Sequence, residues 1–263
     1  MVEPLFRLAK STESKNFAEG DTAQVDAADA KHAISVRRMR IGEAVQLSDG
    51  EGLRLRGVVA AIEGQAMKVS IGAVARETPP NLNITLVQAL AKGDRDELAI
   101  QAATELGAMA FVPWQADRSI SVWNDAKVAK GVARWQTIVT EAAKQSLRVF
   151  DPEVQQLLDS KQLTKRISDG DLGMVLVLDP TGELILPQVL HKMNASSAIA
   201  NTFGVSRKLT LVVGPEGGIS DSELQAFEAA GAHRVRLGVE ILRTSTAGVA
   251  AIAVIQALSG SWS

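Results

Sequence analysis

The heptapeptide GPEGGIS, Gly214 to Ser220, limits what this chain can fold into more than any other stretch. It follows directly on a short apolar run, Leu209 to Val213 (LTLVV). Ser220 is placed to cap a helix starting at Asp221, with Glu223 completing a capping box. Gly231 stops that helix. A second apolar run ends at Leu237-Gly238, and EILRTSTAG leads from it into an alanine-rich helix. The pattern is two strand ends, each followed by a loop and a helix. An open α/β sheet binds its ligands outside the carboxyl ends of such strands.

Gly214, Gly217 and Gly218 let the first loop take dihedrals closed to other residues and let a ligand touch bare backbone. Pro215 stiffens it, and Glu216 is its one charge. A helix N-terminus attracts anions. A carboxylate in the loop opposes a phosphate and suits a cation or a neutral hydrogen-bonded ligand. The spacing also fails GxGxxG and GxxxxGK[ST], which disfavours NAD and ATP. Taken alone, the loop fits a ligand-free strand-to-helix turn equally well. The second loop, Leu237 to Thr246, mixes apolar residues, Gly238, Arg243 and the hydroxyls of Thr244, Ser245 and Thr246. That mixture suits an adenosine with a small polar tail better than a packed core.

GPEGGIS followed by LGVEILRTSTA closely resembles the ribosomal RNA small-subunit methyltransferase E family, within the SPOUT superfamily. The resemblance covers most of the chain and is strongest over its last quarter. It implies an α/β parallel-sheet domain with a deep trefoil knot, a threading that ordinary folding rules make very rare. It implies S-adenosyl-L-methionine as cofactor, bent across Gly214–Gly218 and Leu237–Thr246. The implied cofactor contacts are Leu178, Gly214, Pro215, Glu216, Gly217, Gly218, Leu237, Gly238, Ile241, Leu242, Arg243, Thr244 and Thr246. The implied reaction is methylation of uridine N3 in small-subunit (16S) ribosomal RNA by a homodimer. Arg243 is the candidate for stabilising the uracil oxygens, and Glu216 for a base or a hydrogen-bond partner of the loop. The chain departs from the family at Glu240 and Ser245, where a basic residue and a glutamate are usual, so the resemblance assigns those positions no role.

The remaining composition narrows the chemistry. The chain has 263 residues and no cysteine, which excludes disulfides, thiol catalysis and zinc thiolates. Its three histidines, His32, His191 and His233, share no metal-ligand spacing, so no metal is expected. A net charge of -2 argues against an indiscriminate nucleic-acid binder but allows a local basic patch. MVEPLFRLAK lacks the apolar core of a signal peptide, and Ala247 to Leu258 is too short to span a bilayer. A cytoplasmic protein is expected.

Residues 1–76 read as strand-rich: Ala44 to Gly50 as a strand into a turn, then Leu53 to Ile62 and Met67 to Val74 as strands. Asp29 to Arg40 (DAKHAISVRRMR) reads as a short helix with His32, Val36 and Met39 near one face and Arg37, Arg38 and Arg40 crowded together. The arginines suit a solvated helix end or a phosphate clamp. The pattern HxxxVRRMRxG with the later Asp49-Gly50 resembles the family's PUA-like β-barrel, which favours contact with RNA.

Glu77 to Pro80 marks a linker, leaving a second domain over 81–263. There Leu82 to Leu90 and Met109 to Trp114 read as strands around a helix capped by Asp94 and Glu97, with Leu98, Ala102 and Leu106 on its buried face. Strand, helix and strand in that order indicate a parallel sheet. Asp125 to Leu147 reads as a longer helix with a stripe through Val128, Val132, Trp135, Val139 and Ala142. Met174 to Leu178 reads as a strand closed by Asp179 to Glu183, its end expected beside the two ligand loops. Asn194 to Lys208 reads as a surface connection or mobile segment, and Ala247 to Leu258 as a helix buried all round or pressed on a partner. The resemblance adds Lys92, Arg118 and Arg148 as RNA contacts, and Glu105 and Gln145 as site-wall residues. Two rivals stand beside the enzyme: an RNA-binding ribosome-assembly factor without catalysis and, last, a dehydrogenase, which needs a phosphate cradle that GPEGG does not supply.

Overall fold

A computed structural model describes residues 2–10, 16–197 and 207–262 of the chain. They form two compact units, 1–79 with 140–151, and 80–139 with 152–263.

Among the described residues, the first unit is a five-stranded sheet with a short helix, completed by the end of a longer helix that starts in the second unit. Its elements are β1 (Leu5–Arg7), β2 (Thr22–Gln24), α1 (Ala27–Ser35), β3 (Ala44–Ser48), β4 (Leu53–Glu63) and β5 (Ala66–Arg76). The strand order is β1-β3-β4-β5-β2, with β1 parallel to β3 and the other pairings antiparallel. Alternate residues of the β4–β5 hairpin, among them Leu53, Leu55, Met67, Val69 and Ile71, face the unit's core with Phe6, Val45 and Leu47. The hairpin is bulged at Arg56/Gly57, where a Cβ on Gly57 would lie 2.1 Å from the Ser70 carbonyl oxygen.

Asp26 caps α1 through the Ala28 N–H at 2.9 Å. The helix ends at Ser35, earlier than the pattern predicts. Met39 N–H bonds back to the Ala33 carbonyl and Arg38 takes φ 55. Met39 is thereby buried while His32 and Val36 stay exposed, so these three do not share a face, and Arg37, Arg38 and Arg40 sit in the turn after the helix.

The segment Thr140–Asp151 belongs to this unit. Lys144 meets Asp29 at 2.5 Å, both almost fully buried, and also contacts Glu141. Asp29 accepts the Arg7 backbone N–H at 2.6 Å, and the Arg7 guanidinium pairs with Asp151. Arg54 donates to the Leu147 carbonyl at 3.0 Å.

The second unit is an all-parallel sheet covered by helices on both faces. Its elements are β6 (Leu82–Ala89), α2 (Arg95–Glu105), β7 (Ala110–Gln115), α3 (Ala126–Gln145), β8 (Glu153–Val154), β9 (Leu158–Asp159), α4 (Ser160–Ser168), β10 (Met174–Leu178), β11 (Leu184–Ile185), α5 (Leu186–Ser197), β12 (Arg207–Val213), α6 (Asp221–Ala229), β13 (His233–Arg236) and α7 (Thr244–Leu258). The order is β11-β13-β10-β12-β6-β7-β8, with β9 also on β7. Strand residues alternate between two cores. Ile84, Leu86, Leu209 and Leu211 pack with α2, α3, α5 and α7, whereas Val87, Val175, Val177 and Val212 pack with α4 and α6. Burial on both faces explains why these strands read as continuous apolar runs.

Two helices depart from expectation. Asp94 stands at the α2 N-cap without a side-chain capping bond, and α2 buries Ala99, Ile100 and Ala103, leaving Leu98 51% exposed. Helix α7 buries Gly248, Ala251, Ile252 and Ile255, with Val249, Ala250, Ala253 and Val254 half-buried. It is therefore not buried all round. A Cβ on Gly248 would sit 2.9 Å from Leu86, so this glycine sets how closely α7 approaches the sheet. Of the stretch Asn194 to Lys208, residues 198–206 lie outside the described residues.

Candidate functional site

Strands β13, β10 and β12 are adjacent and parallel, so their carboxyl ends open on one edge of the sheet. Their loops surround a cavity of about 440 Å³. Leu178, Asp179 and Pro180 come from the end of β10, and Val213, Gly214, Pro215, Glu216, Gly218 and Ile219 from the end of β12. Ile241, Leu242, Arg243, Thr244 and Ala247 come from the loop after β13 and the start of α7, and Arg95 from α2. A side pocket of about 70 Å³ adds Leu237, Gly238 and Glu240.

The first loop is built as its residues dictate. The Gly218 N–H closes a turn on the Pro215 carbonyl at 2.9 Å, and Gly218 takes φ 73. A Cβ on Gly214 would lie 2.6 Å from Ile219 Cγ1. Ser220 and Glu223 form the predicted capping box. Glu223, buried, also accepts the Asp117 N–H at 2.8 Å and the Ser160 hydroxyl at 2.5 Å. It thus ties the loop after β7 to the start of α6. From that loop, Arg118 Nη1 reaches the Gly217 and Ile219 carbonyls at 3.3 and 3.4 Å.

The second loop is joined to the first by Thr244. Its hydroxyl donates to the Gly214 carbonyl at 2.8 Å and accepts from Gln88 Nε2 at 2.8 Å. Gln88 is buried, and its Oε1 has no hydrogen-bond partner among the described residues.

Glu216 Oε1 accepts from the Lys92 backbone N–H at 3.0 Å and from Arg95 Nη1 at 2.8 Å. Burial pushes this carboxyl up, but the backbone N–H bonds and Arg95 outweigh it and hold it below the usual glutamate range. Glu216 is therefore a well-satisfied carboxylate. Arg243 is exposed and lines the same cavity.

Of the residues expected at the cofactor, the main cavity gathers Leu178, Gly214, Pro215, Glu216, Gly218, Ile241, Leu242, Arg243 and Thr244. Leu237 and Gly238 line the side pocket. Gly217 packs against Arg118 instead, and the Thr246 hydroxyl turns back to the Arg243 carbonyl at 3.1 Å. Arg95, Asp179, Pro180, Val213, Ile219 and Ala247 were not singled out from sequence. Only the position of Asp179-Pro180 at a strand end signalled them.

The residues expected at RNA fall in different places. Lys92 and Arg118 are exposed on loops of the second unit. Arg37 lines a hollow of about 310 Å³ in the first unit with Lys144 and Gln145, and Arg38 and Arg40 are exposed nearby in sequence. Burial pushes the Arg148 guanidinium down to about 10, with Asp151 opposing the shift and Arg7 adding to it. Glu105 is exposed at the end of α2.

The chain matches known proteins over nearly its whole length. The RNA methyltransferase domain family matches residues 78–256, and the RNA methyltransferase PUA domain family residues 25–72. The ribosomal RNA small subunit methyltransferase E of Mycobacterium bovis is 39% identical over 243 residues, 92% of this chain and 89% of that one. Its counterpart in Bacillus subtilis is 31% identical over 246 residues, 92% of each chain. A crystal structure of a ribosomal RNA small subunit methyltransferase E from Neisseria gonorrhoeae, bound to S-adenosyl methionine, superposes with a TM-score of 0.77 at 29% identity, covering 98% of both chains. Family matches, sequence identity and superposition agree in this, and the chain belongs to the ribosomal RNA small subunit methyltransferase E family, an α/β methyltransferase domain of the SPOUT type behind an N-terminal PUA-like domain.

Proposed function

We propose that this chain methylates N3 of a uridine in small-subunit ribosomal RNA, using S-adenosylmethionine held in the cavity at the ends of β10, β12 and β13. The observation that carries this reading is the lining of that cavity. Leu178, Pro180, Val213, Ile219, Ile241 and Leu242 supply apolar walls for an adenine, and Gly214 and Gly218 supply bare backbone. Asp179 and Glu216 supply negative charge where a phosphate-binding loop would carry none. A volume of about 440 Å³ falls within the roughly 300–1,000 Å³ of small-molecule sites. The residues present fit a cationic nucleoside and do not fit a dinucleotide.

Bound there, the cofactor supplies a sulfonium methyl that is already activated, so no metal or covalent enzyme nucleophile is required. The protein aligns the two reactants, which is worth on the order of 7–11 kcal/mol. Arg243 stabilises charge on the uracil oxygens as N3 releases its proton to water and takes the methyl group, the sulfonium leaving as a neutral thioether. Glu216 acts as the hydrogen-bond partner that fixes the loop. The RNA is held by Arg37, Arg38 and Arg40 in the first unit and by Lys92 and Arg118 in the second. The chain works in the cytoplasm as a homodimer, with the half-buried apolar face of α7 available to a second copy, and its carboxyl end threads the trefoil knot that the family resemblance implies.

Mass mapping of methylated nucleosides in ribosomal RNA from a deletion strain tests the reaction. One small-subunit N3-methyluridine should disappear and return on complementation, and an unchanged profile refutes it. Calorimetry with S-adenosylmethionine separates the enzyme from an RNA-binding assembly factor, which should release no heat.

A further inference from the structure

The cavity carries a second cation that the reaction above leaves unused. Its charged side chains are Arg95, Asp179, Glu216 and Arg243. Asp179 Oδ1 accepts the Thr181 N–H at 2.7 Å, and Glu216 Oε1 is shared between Lys92 N–H and Arg95. A guanidinium has five N–H donors in a planar fork. One bond from Nη1 to Glu216 leaves the rest of the fork available on a side chain that is 43% exposed.

The position of Arg95 is fixed from below. It opens α2, and the next residue, Asp96, is buried and accepts the N–H groups of Ala91 and Glu97 at 3.3 and 2.8 Å. The turn 91–95 is thus pinned at its base by Asp96 and at its rim by Glu216. The ion pair holds Arg95 in the cavity wall with its side chain 43% exposed. A half-exposed guanidinium so oriented is suited to bidentate capture of an anionic oxygen pair.

We propose that Arg95 is a substrate-contacting residue that grips a backbone phosphate of the target RNA beside the methylated nucleotide, and that Glu216 is its positioning residue and not the proton acceptor. This rests on the cavity being the methyl-transfer site. Glu216 orients the fork and, as an anion, discourages stray anions that lack the several further contacts of a polynucleotide.

The test uses the full-length protein, S-adenosylmethionine and small-subunit ribosomal RNA, with Arg95→Ala, Arg95→Lys and Glu216→Gln checked for folding by thermal unfolding. Arg95→Ala should bind the cofactor like the parent in calorimetry, raise KM for RNA more than it lowers kcat, and reduce the slope of log affinity against log salt by about 1. Arg95→Lys should restore the slope but only part of the affinity, because an ammonium lacks the fork. Glu216→Gln should lose less than the roughly hundred-fold floor expected for a missing general base, with an unshifted pH–rate profile. Weakened cofactor binding or an unchanged salt slope in Arg95→Ala overturns the phosphate contact. A loss above that floor in Glu216→Gln, with the acid limb of the profile gone, overturns the positioning role. If the parent protein transfers no methyl group, the function above fails, while the salt slope still reads whether Arg95 touches RNA.

Discussion

The hydroxyl of Thr244 donates to the carbonyl of Gly214 at 2.8 Å across thirty residues of chain, and this bond joins the two ligand loops. Gln88, fully buried, stands behind it and donates from Nε2 to the Thr244 hydroxyl oxygen. Replacing Thr244 with valine keeps the shape and removes both bonds, leaving the Gln88 amide with still fewer partners. The expected cost is about 1–3 kcal/mol, read by denaturant unfolding, together with weaker cofactor binding in calorimetry. Thr244→Ser should recover most of both. A valine variant that binds the cofactor like the parent would show that the clip does not shape the cavity.

Arg243 lines the cavity and is exposed, so removing it disturbs little packing. Arg243→Ala should keep the fold and the cofactor affinity while turnover falls by on the order of a hundred- to a thousand-fold, the range seen when one preorganised donor to a developing oxyanion is lost. Single-turnover methylation with saturating cofactor measures this. Full activity in that variant would remove Arg243 from the chemistry.

Asp96 gives the second unit a pH dependence. Burial, aided by the neighbouring Glu97 charge, raises its carboxyl from 3.8 to about 6, against the pull of N–H bonds from Ala91 and Glu97. The folded chain therefore binds a proton that the unfolded chain has released between those two values. The corresponding stability is present below the unfolded pKa and is lost as pH rises through about 6. Asp96→Asn, which cannot ionise but offers one acceptor oxygen where the carboxylate offers two, should carry a fixed cost for the lost N–H bond and lack the parent's fall in stability, on the order of 2 kcal/mol, between pH 4 and pH 8. Unfolding curves at the two pH values check the sign.

The Lys144–Asp29 pair is the buried electrostatic contact of the first unit, with side chains 10% and 8% exposed. Lys144→Met leaves Asp29 buried with only the Arg7 N–H, and should cost about 3–5 kcal/mol. Adding Asp29→Asn to that variant should recover part of the loss, since the stranded charge is gone. No recovery would mean that the stem of Lys144, and not its charge, does the work.

Arg37 and Arg38 stand in the turn after α1, both exposed. Their double replacement by alanine should weaken RNA binding and lower the salt slope by about 2, one for each phosphate contact. An unchanged slope, measured by titration at several salt concentrations, would place the RNA elsewhere.

Strands β6, β7, β10 and β12 were legible because each is a near-continuous apolar run, whereas β13, HRVR, buries only Val235 and gives no such signal. The turn after β12 was legible from its glycines and capping box, but its reading as a ligand loop came from the family resemblance. What escaped depends on partners distant in sequence. Arg37 to Arg40 continue a helical pattern, but burying Met39 under the first unit's core ends the helix early. On α2 hydrophobicity alone favours Leu98 for the core, yet the face that carries the small Ala99 and Ala103 with Ile100 is the one buried. Helix α4 is too polar to announce itself, since only Leu163 and Ile167 are buried. Arg95 and Asp179 join the cavity through sheet order, which no local pattern reveals.

Because Thr140–Asp151 completes the first unit, a protein cut at residue 79 would present Asp29 without its Lys144 counter-ion and the Arg7 guanidinium without its Asp151 partner. On a translating ribosome, the amino-terminal unit must wait for roughly seventy further residues before its last segment exists. Its maturation is coupled to that of the catalytic half, and a severed fragment would be an unreliable stand-in for RNA-binding measurements.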